Sequence, residues 1–545
     1  MDRWLFNNGV IYTLTEEKKS YNTMLVENGV IEKVFESDPH YLEIPQSKVV
    51  DLQGHAVIPS FTDCHFHFMP TVGLYEMALN VSEYVNGKIQ PDNIFDVGEK
   101  VKKFGQTRDP KKPILCFNYI IKAVKEDRLP YKDEIDSWLG PERFVMFISM
   151  DGHSSSYSSK ALKYMGIDSQ HHDGILSGEQ HEFNMGKIAD LVFENMSASS
   201  LIRGLSHLVN DMIKSGITAV HALDGISEDK PDLSLKILYM IGGILPLDFY
   251  LYPQIKNFDF IQQLRKRMRY PKVGGCNGWE MDGSIGSRTA AFEIPYFTDP
   301  NNYGKLYFDQ SFVDSEVKRY HDQGYQIISH AIGTLAIERI LSAYEKVINN
   351  KDQDSRKTKN THRHRIEHFE FPNKEQVDRI IENDILVSAQ PGYAYFDYMF
   401  QKSYRAYLSP EIFNRQIPLK TITERGGYIL GSSDSPIQYH NPFIQIAGMV
   451  KFPLANERIS IFQALRTYTV NAAYATFEEH QKGTLEPGMK ADFIVLDRNP
   501  FHIKSEEIEM IKVKETFING LKPKYMSGSV ASLLGKLIFR PKKKI

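Results

Sequence analysis

The chain has 545 residues, 42% hydrophobic and 24% charged, with a formal net charge of -3. That length buries a large core and predicts more than one domain of ordinary globular composition. The near-neutral charge gives no case for a nucleic-acid partner, and no run approaches the roughly 18 apolar residues that a membrane span needs.

Only three cysteines occur, Cys64, Cys116 and Cys276. They argue against a disulfide framework and for a reducing compartment, and each reads as a small buried hydrophobe. Residues 1–8 carry no apolar signal core, so a cytoplasmic location is expected. The N-terminal stretch reads as short strands. Leu5-Phe6 leads through Asn7-Asn8-Gly9 to residues 10–14, and residues 23–26 lead through Glu27-Asn28-Gly29 to residues 30–34. Asn-Gly between apolar runs predicts a hairpin at each place. The same texture returns at 483–496 and 513–520. One small sheet domain built from both termini, residues 1–55 with 483–545, is therefore expected around a central domain of 56–482.

The centre alternates strand-like and helix-like segments, which favours a parallel sheet. Expected strands are 56–58, 217–221, 247–252, 275–281, 325–330, 364–369, 385–390 and 428–431. Eight is the number a (β/α)₈ barrel requires. Helices are expected over about 313–321, stopping at Gly324, and over 336–348. Two more strand-like runs, 114–119 and 144–150, fall in a large insertion at about 71–206. Its Met146, Met150, Met165 and Met185 read as core fillers. Its aromatics Tyr119, Phe144, Tyr157 and Tyr164 suit either a core or a pocket roof. The basic end, Arg540-Pro541-Lys542-Lys543-Lys544, reads as a solvated tail.

The chemistry concentrates at strand ends. Asp63-Cys64-His65-Phe66-His67 follows the apolar run 56–58. Residues two apart on a strand share a face, so His65 and His67 present two imidazoles side by side, which suits a divalent metal. Ser329-His330, Glu367-His368 and Ser433-Asp434 also close apolar runs with ligand-type residues. In a barrel, reactive groups come from the C-terminal strand ends. His65, His67, His330, His368 and Asp434 would then face one cavity.

With these segments in order, the chain resembles the amidohydrolase superfamily, in its amidohydrolase 3 branch, which is YtcJ-like and includes N-substituted formamide deformylases. Further matching segments are Asp151-Gly152-His153-Ser154, residues 216–221, Asp282-Gly283-Ser284-Ile285-Gly286-Ser287-Arg288-Thr289-Ala290, residues 363–368 and residues 483–496. The resemblance implies a distorted (β/α)₈ barrel, a TIM barrel, joined to a small β-sandwich from both termini. It implies metal ligation by His65, His67, His330, His368 and Asp434, with one or two divalent ions of the zinc type as cofactor. The branch commonly places a carboxylated lysine four residues before the Asp-Gly pair. Here that position is Gly278. Glu280 shares its strand face by alternation and is the expected bridging carboxylate, or else a contact to substrate or to a basic neighbour.

The expected function is hydrolysis of an amide-type C–N bond, other than a peptide bond, in a small molecule. A bound Zn²⁺-type ion lowers the pKa of its water from about 15.7 to roughly 7. Asp434 can take a proton from the attacking water and deliver it to the leaving nitrogen. His153, His221 and Arg288 are the candidates for the oxyanion or for substrate contact. The rivals are a one-metal deaminase on the same barrel and a non-catalytic scaffold. The deaminase pattern places a Glu three residues after the fifth-strand His, where this chain has Gly333. The expected partner is a small-molecule substrate, with no nucleic acid and no membrane; a homo-oligomer is compatible with the sequence.

Overall fold

The computed structural model of the protein describes residues 2–39, 44–45, 48–85, 88–225, 233–348, 360–398, 403–539 and 543–545. Eight parallel strands carry the centre: β1 (Phe61–Phe66), β2 (Ile217–Asp224), β3 (Asp248–Pro253), β4 (Lys272–Glu280), β5 (Gln326–Ala331), β6 (Arg365–His368), β7 (Leu386–Ala389) and β8 (Ile429–Gly431). They form two sheets, one ordered β3-β2-β1 and the other β4-β5-β6-β7-β8. Most of their residues are buried, as expected of parallel strands covered on both faces. The sheets touch at both margins. Asp434 N–H donates to His65 O at 2.9 Å, and Gly278 N–H donates to Gln254 O at 3.1 Å. The expected helices run over Gln310–His321, capped by the Asp309 side chain, and over Thr334–Ile348. Among the described residues no helix is long and apolar enough to cross a membrane.

Seven of the eight expected central strands occur at their places. The exception is the first. Ala56–Pro59 pairs with Val10-Ile11 and with Phe493–Leu496, so it belongs to the terminal sheet. The central strand begins only at Phe61. Pro59 and Ser60 carry the chain from one sheet into the next. Ser60 N–H still donates to Asp492 O, while Phe61 N–H donates to Gly216 O.

Both termini do meet. A four-stranded sheet has the order Val30–Phe35, Thr23–Glu27, Arg3–Asn7, Val49–Asp51. A five-stranded sheet has the order Val513–Phe517, Phe493–Leu496, Ala56–Pro59, Val10–Tyr12, Ser20–Tyr21. Phe6, Met24, Val26, Val57, Phe493 and Phe517 share one core between them, with Phe493 stacked on Phe517 at 4.6 Å. The Asn28-Gly29 hairpin is as expected: Glu27 faces Val30, and both turn residues have positive φ, the requirement of a two-residue turn of this kind. Asn7-Asn8-Gly9 makes no hairpin. Arg3–Asn7 pairs with Thr23–Glu27 and Val49–Asp51, so the turn sends the chain across to the other sheet.

The insertion builds its own five-stranded sheet, ordered Ile175–Ser177, Ser154–Tyr157, Val145–Ser149, Ile114–Tyr119, Ala78–Asn80. Met146, Met165, Phe144 and Tyr157 pack in one of its cores. Of the basic C-terminal stretch, residues 540–542 lie outside the described residues. Lys543 and Lys544 are exposed, as expected, while Lys543 N–H donates to Gly243 O, Ile545 N–H to Arg267 O, and the Ile545 side chain beyond them is buried.

Candidate metal centre

The C-terminal strand ends bring four imidazoles and one carboxylate together. His65 and His330 are each one residue from the end of β1 and β5, and His368 closes β6. His67 sits just past β1, at the N-cap of helix Phe68–Met77, so the His-x-His pair straddles a strand end. Asp434 follows β8 by three residues. His65 Nε2 and His67 Nε2 lie 3.1 and 3.0 Å from Asp434 Oδ1. The rings of His330 and His368 are 4.4 Å apart, and those of His65 and His368 are 5.1 Å apart. Asp434 and His368 hold φ of 58° and 68°. Non-glycine residues seldom adopt that conformation.

What the far nitrogen of each ring does decides the chemistry. His65 Nδ1 is 2.6 Å from Glu367 Oε2, His67 Nδ1 is 3.2 Å from Leu223 O, His368 Nδ1 is 2.8 Å from Gln390 Oε1, and His330 Nε2 is 3.2 Å from Gly283 O. All four acceptors are oxygens, so each ring donates its N–H there. That fixes the tautomer and leaves the other nitrogen's lone pair for the centre. His368 Nε2 and Asp434 Oδ1 are both buried without a hydrogen-bond partner. Buried lone pairs with nothing to accept are costly, and a cation among them removes that cost. The donor set therefore fits a divalent metal of the kind that imidazole and carboxylate ligate.

The electrostatics agree. Burial alone would depress the His65 imidazole, but Asp434 and Glu367 outweigh it and hold it up at about 9. These two carboxylates therefore favour positive charge on or beside that ring. Burial pushes His368 down to about 4, and burial with the neighbouring His368 pushes His330 well below its usual value. Both present neutral rings at pH 7. Burial would raise the Asp434 carboxyl, yet His65 and His67 outweigh it and hold it well below the usual range. Glu367 is itself fixed by the buried Arg365, which also donates to Cys64 O at 2.9 Å.

Glu280, at the end of β4, faces His153 Nδ1 at 3.2 Å and accepts from Asn277 N–H at 3.2 Å. Glu280, His153 and His330 form one group whose ligand atoms lie within 4.8 Å of each other. His153 lines the cavity above the centre; His221 and Arg288 do not. His221 lies beneath, its Nδ1 2.9 Å from Arg365 Nη1 and its ring stacked on Tyr252. Arg288 is exposed, over the Tyr407 ring at 5.6 Å.

The cavity has a volume of about 80 Å³. His368 and Asp434 form its floor, Tyr393, Tyr404, Tyr407 and Glu370 one wall, and Tyr119, Lys122, Met150 and Asp151 of the insertion another. Met150 and Tyr119 thus face the cavity, while Tyr164 is exposed. Burial pushes the Glu370 carboxyl up to about 8, and it accepts from Tyr404 Oη at 2.9 Å. Asp151 accepts from Ser149, Ser284 and Ser287, which ties the insertion to the loop after β4. Gly286 is needed there, because a Cβ would come within 2.5 Å of Asp151 Oδ2. Gly333 is equally constrained. Its N–H donates to Asp282 Oδ2 at 2.8 Å, and a Cβ would meet Ala291 O at 2.2 Å.

Sequence reasoning missed the supports. Arg365 and Glu367 carried one usable signal, opposite charges two apart in a buried strand. Gln390 and Tyr393, whose Oη donates to Asp434 Oδ2 at 2.8 Å, carried none. Cys276, read as a buried hydrophobe, is half-buried, with Sγ 3.8 Å from His330 Nδ1 and 4.0 Å from His65 Nε2.

Comparison with known proteins adds a family. The sequence profile of an amidohydrolase family matches residues 48–521. YtcJ of Bacillus subtilis (strain 168), named as an amidohydrolase, is 24% identical over 545 residues, covering 95% of this chain and 98% of its own. The N-substituted formamide deformylase of Arthrobacter pascens is 22% identical over 546 residues, covering 94% and 97%. Among solved structures, an uncharacterized metal-dependent hydrolase from Pyrococcus horikoshii OT3 aligns over 93% of this chain and 99% of its own, with a TM-score of 0.70 and 20% identity. That likeness is one of fold.

Proposed function

The chain belongs to the amidohydrolase family, and from that premise we propose that it is a metal-dependent hydrolase cleaving an amide-type C–N bond of a small molecule. One observation carries the reading: four imidazoles, three of them buried and His67 partly so, each donate one N–H outward to an oxygen, and the Nε2 atoms of His65 and His67 meet Asp434 Oδ1. In this reading the two parallel sheets close into a distorted (β/α)₈ barrel, with the terminal sheets as a small composite domain. The reacting groups then sit at the C-terminal strand ends, where barrel enzymes keep them.

His65, His67 and Asp434 would hold one cation. His330 and His368, with Glu280 beside them, would hold a second. A bound ion of the zinc type supplies Lewis acidity to the substrate carbonyl and to the attacking water. Asp434 is ionised at neutral pH, and its Oδ2 is oriented by Tyr393. It accepts the proton from water and returns it to the leaving nitrogen as the tetrahedral intermediate collapses. His153, tied to Glu280 and facing the cavity, contacts the substrate. The tyrosine wall excludes water from the leaving side and offers rings and hydroxyls to a small substrate.

The deaminase alternative has less support. The position where that pattern needs a Glu is Gly333, and the adjacent backbone leaves no room for a side chain. The test is a panel of N-substituted formamides, simple amides and amino-heterocycles, assayed with the metal-loaded protein. Release of amine and carboxylate supports the reading. Release of ammonia from the heterocycles alone would replace it with deamination.

A further inference from the structure

We propose that the Cys276 thiolate is a metal ligand seated between the two histidine pairs of the centre, an assignment that rests on the metal-hydrolase reading above. The argument begins with a break in β4. That strand pairs with β5 in register from Lys272–Gln326 to Gly275–Ser329, and pairing resumes only at Glu280–His330. Residues 276–279 thus bulge against a single step of the partner strand. A bulge re-aims side chains that simple alternation would point elsewhere. Gly274 and Gly275 make it possible, with φ of 110° and 132°, and a Cβ on Gly274 would come within 1.9 Å of Ile328 O. Cys276 N–H donates to Gln254 Oε1 at 3.0 Å, which pins the bulge from the β3 side.

The result is a sulfur at the junction. Sγ lies 4.0 Å from His65 Nε2, the nitrogen facing Asp434, and 3.8 Å from His330 Nδ1, the nitrogen that His330 leaves unused by Gly283. Cys276, His65 and His368 also form a group whose ligand atoms lie within 4.8 Å of one another. His368 Nε2 is buried there without a hydrogen-bond partner, which is an independent sign of a missing ligand. Tetrahedral zinc with Zn–S of about 2.3 Å and Zn–N of about 2.0–2.1 Å places S and N about 3.6 Å apart. The observed separations need only a few tenths of an ångström of closure. The other two cysteines differ in kind. Cys64 and Cys116 are fully buried in apolar clusters, and burial raises their thiols.

The chemistry also calls for a negative ligand at this place. Asp434 reaches the inward nitrogens of His65 and His67, while Glu280 is turned toward His153 and Glu367 toward His65 Nδ1 and Arg365. On metal binding the Cys276 S–H bond breaks, the proton leaves to solvent, and an S–metal bond forms. A soft thiolate would bias the site toward Zn²⁺ or Co²⁺ and away from Mg²⁺.

Co²⁺ is the probe. The wild-type protein loaded with Co²⁺ is expected to show the intense near-ultraviolet charge-transfer absorption that a thiolate gives to Co²⁺. Cys276→Ser and Cys276→Asp should bind Co²⁺, with fold checked by circular dichroism, and lack that band. Wild-type protein that binds Co²⁺ without the band overturns the assignment alone and leaves the hydrolase reading standing. So does a band that persists in either variant. A wild-type chain that takes up no Co²⁺ and no Zn²⁺ overturns the metal reading and this assignment with it.

Discussion

Among the described residues, histidines gather both around Asp434 and at His321, His362 and His364, and the two gatherings differ in what their far nitrogens do. In the group of His321, His362 and His364, His364 Nδ1 accepts from the Ile327 backbone N–H at 3.0 Å. A neutral His364 must then carry its proton on Nε2, which faces His321 Nδ1 at 2.8 Å. The cluster hydrogen-bonds to itself, and burial with its two neighbours keeps His364 well below its usual value. In the group around Asp434, every ring donates outward and aims a lone pair inward. Proximity is the same in both. In the first, His364 uses one nitrogen for the Ile327 N–H and the other for His321, so histidine spacing alone does not identify a metal site.

The strongest way to break the comparison is at Asp434. Asp434→Asn keeps shape and an oxygen but cannot move a proton. Loss of general acid–base catalysis costs about 10²–10⁴-fold in rate. The expected outcome is a fall in kcat of that size, with the fold intact and some metal retained on the same sample. A variant that keeps its metal and turns over at the wild-type rate removes Asp434 from proton transfer.

A smaller effect is expected one shell out. Glu367→Gln weakens the hydrogen bond that orients His65. Loss of such a support typically costs 10–100-fold in metal affinity, measurable by chelator competition. Tm should be followed in parallel, because Arg365 loses its charge partner. Unchanged affinity would make Glu367 a partner of Arg365 only. The smallest effect is the sharpest control. His362→Ala should leave metal content and kcat/KM unchanged. A drop in bound metal would show that the self-bonded cluster is a site, and the distinction drawn here would fail.

Much of the centre was legible because ligand-type residues end apolar runs: His65, His330, His368 and Asp434 each follow a buried strand, and alternation placed Glu280 near them. The bulge at 276–279 was not legible, because one break in register reverses which residues share a face; Cys276, read with the other two cysteines as a small buried hydrophobe, carried no sign of it. Ala56–Pro59 was assigned to the centre because strand propensity does not say which sheet a strand joins, and only the pairing with Val10-Ile11 and Phe493–Leu496 decides it. The same holds for Asn7-Asn8-Gly9, whose turn chemistry matches that of Asn28-Gly29 but whose flanking strands have other partners. His221 and Arg288 were reasonable from motif order, yet one lies beneath the centre and the other at its surface. Distances of that kind come from packing between segments far apart in sequence.

The most direct test of the central claim is the metal content of the purified chain and of the double variant His65→Ala/His67→Ala, measured by elemental analysis after identical loading with Zn²⁺ and removal of excess. The account predicts at least one tightly held ion in the wild type and its loss in the double variant, with the circular dichroism spectrum preserved. Full occupancy in the double variant would contradict it.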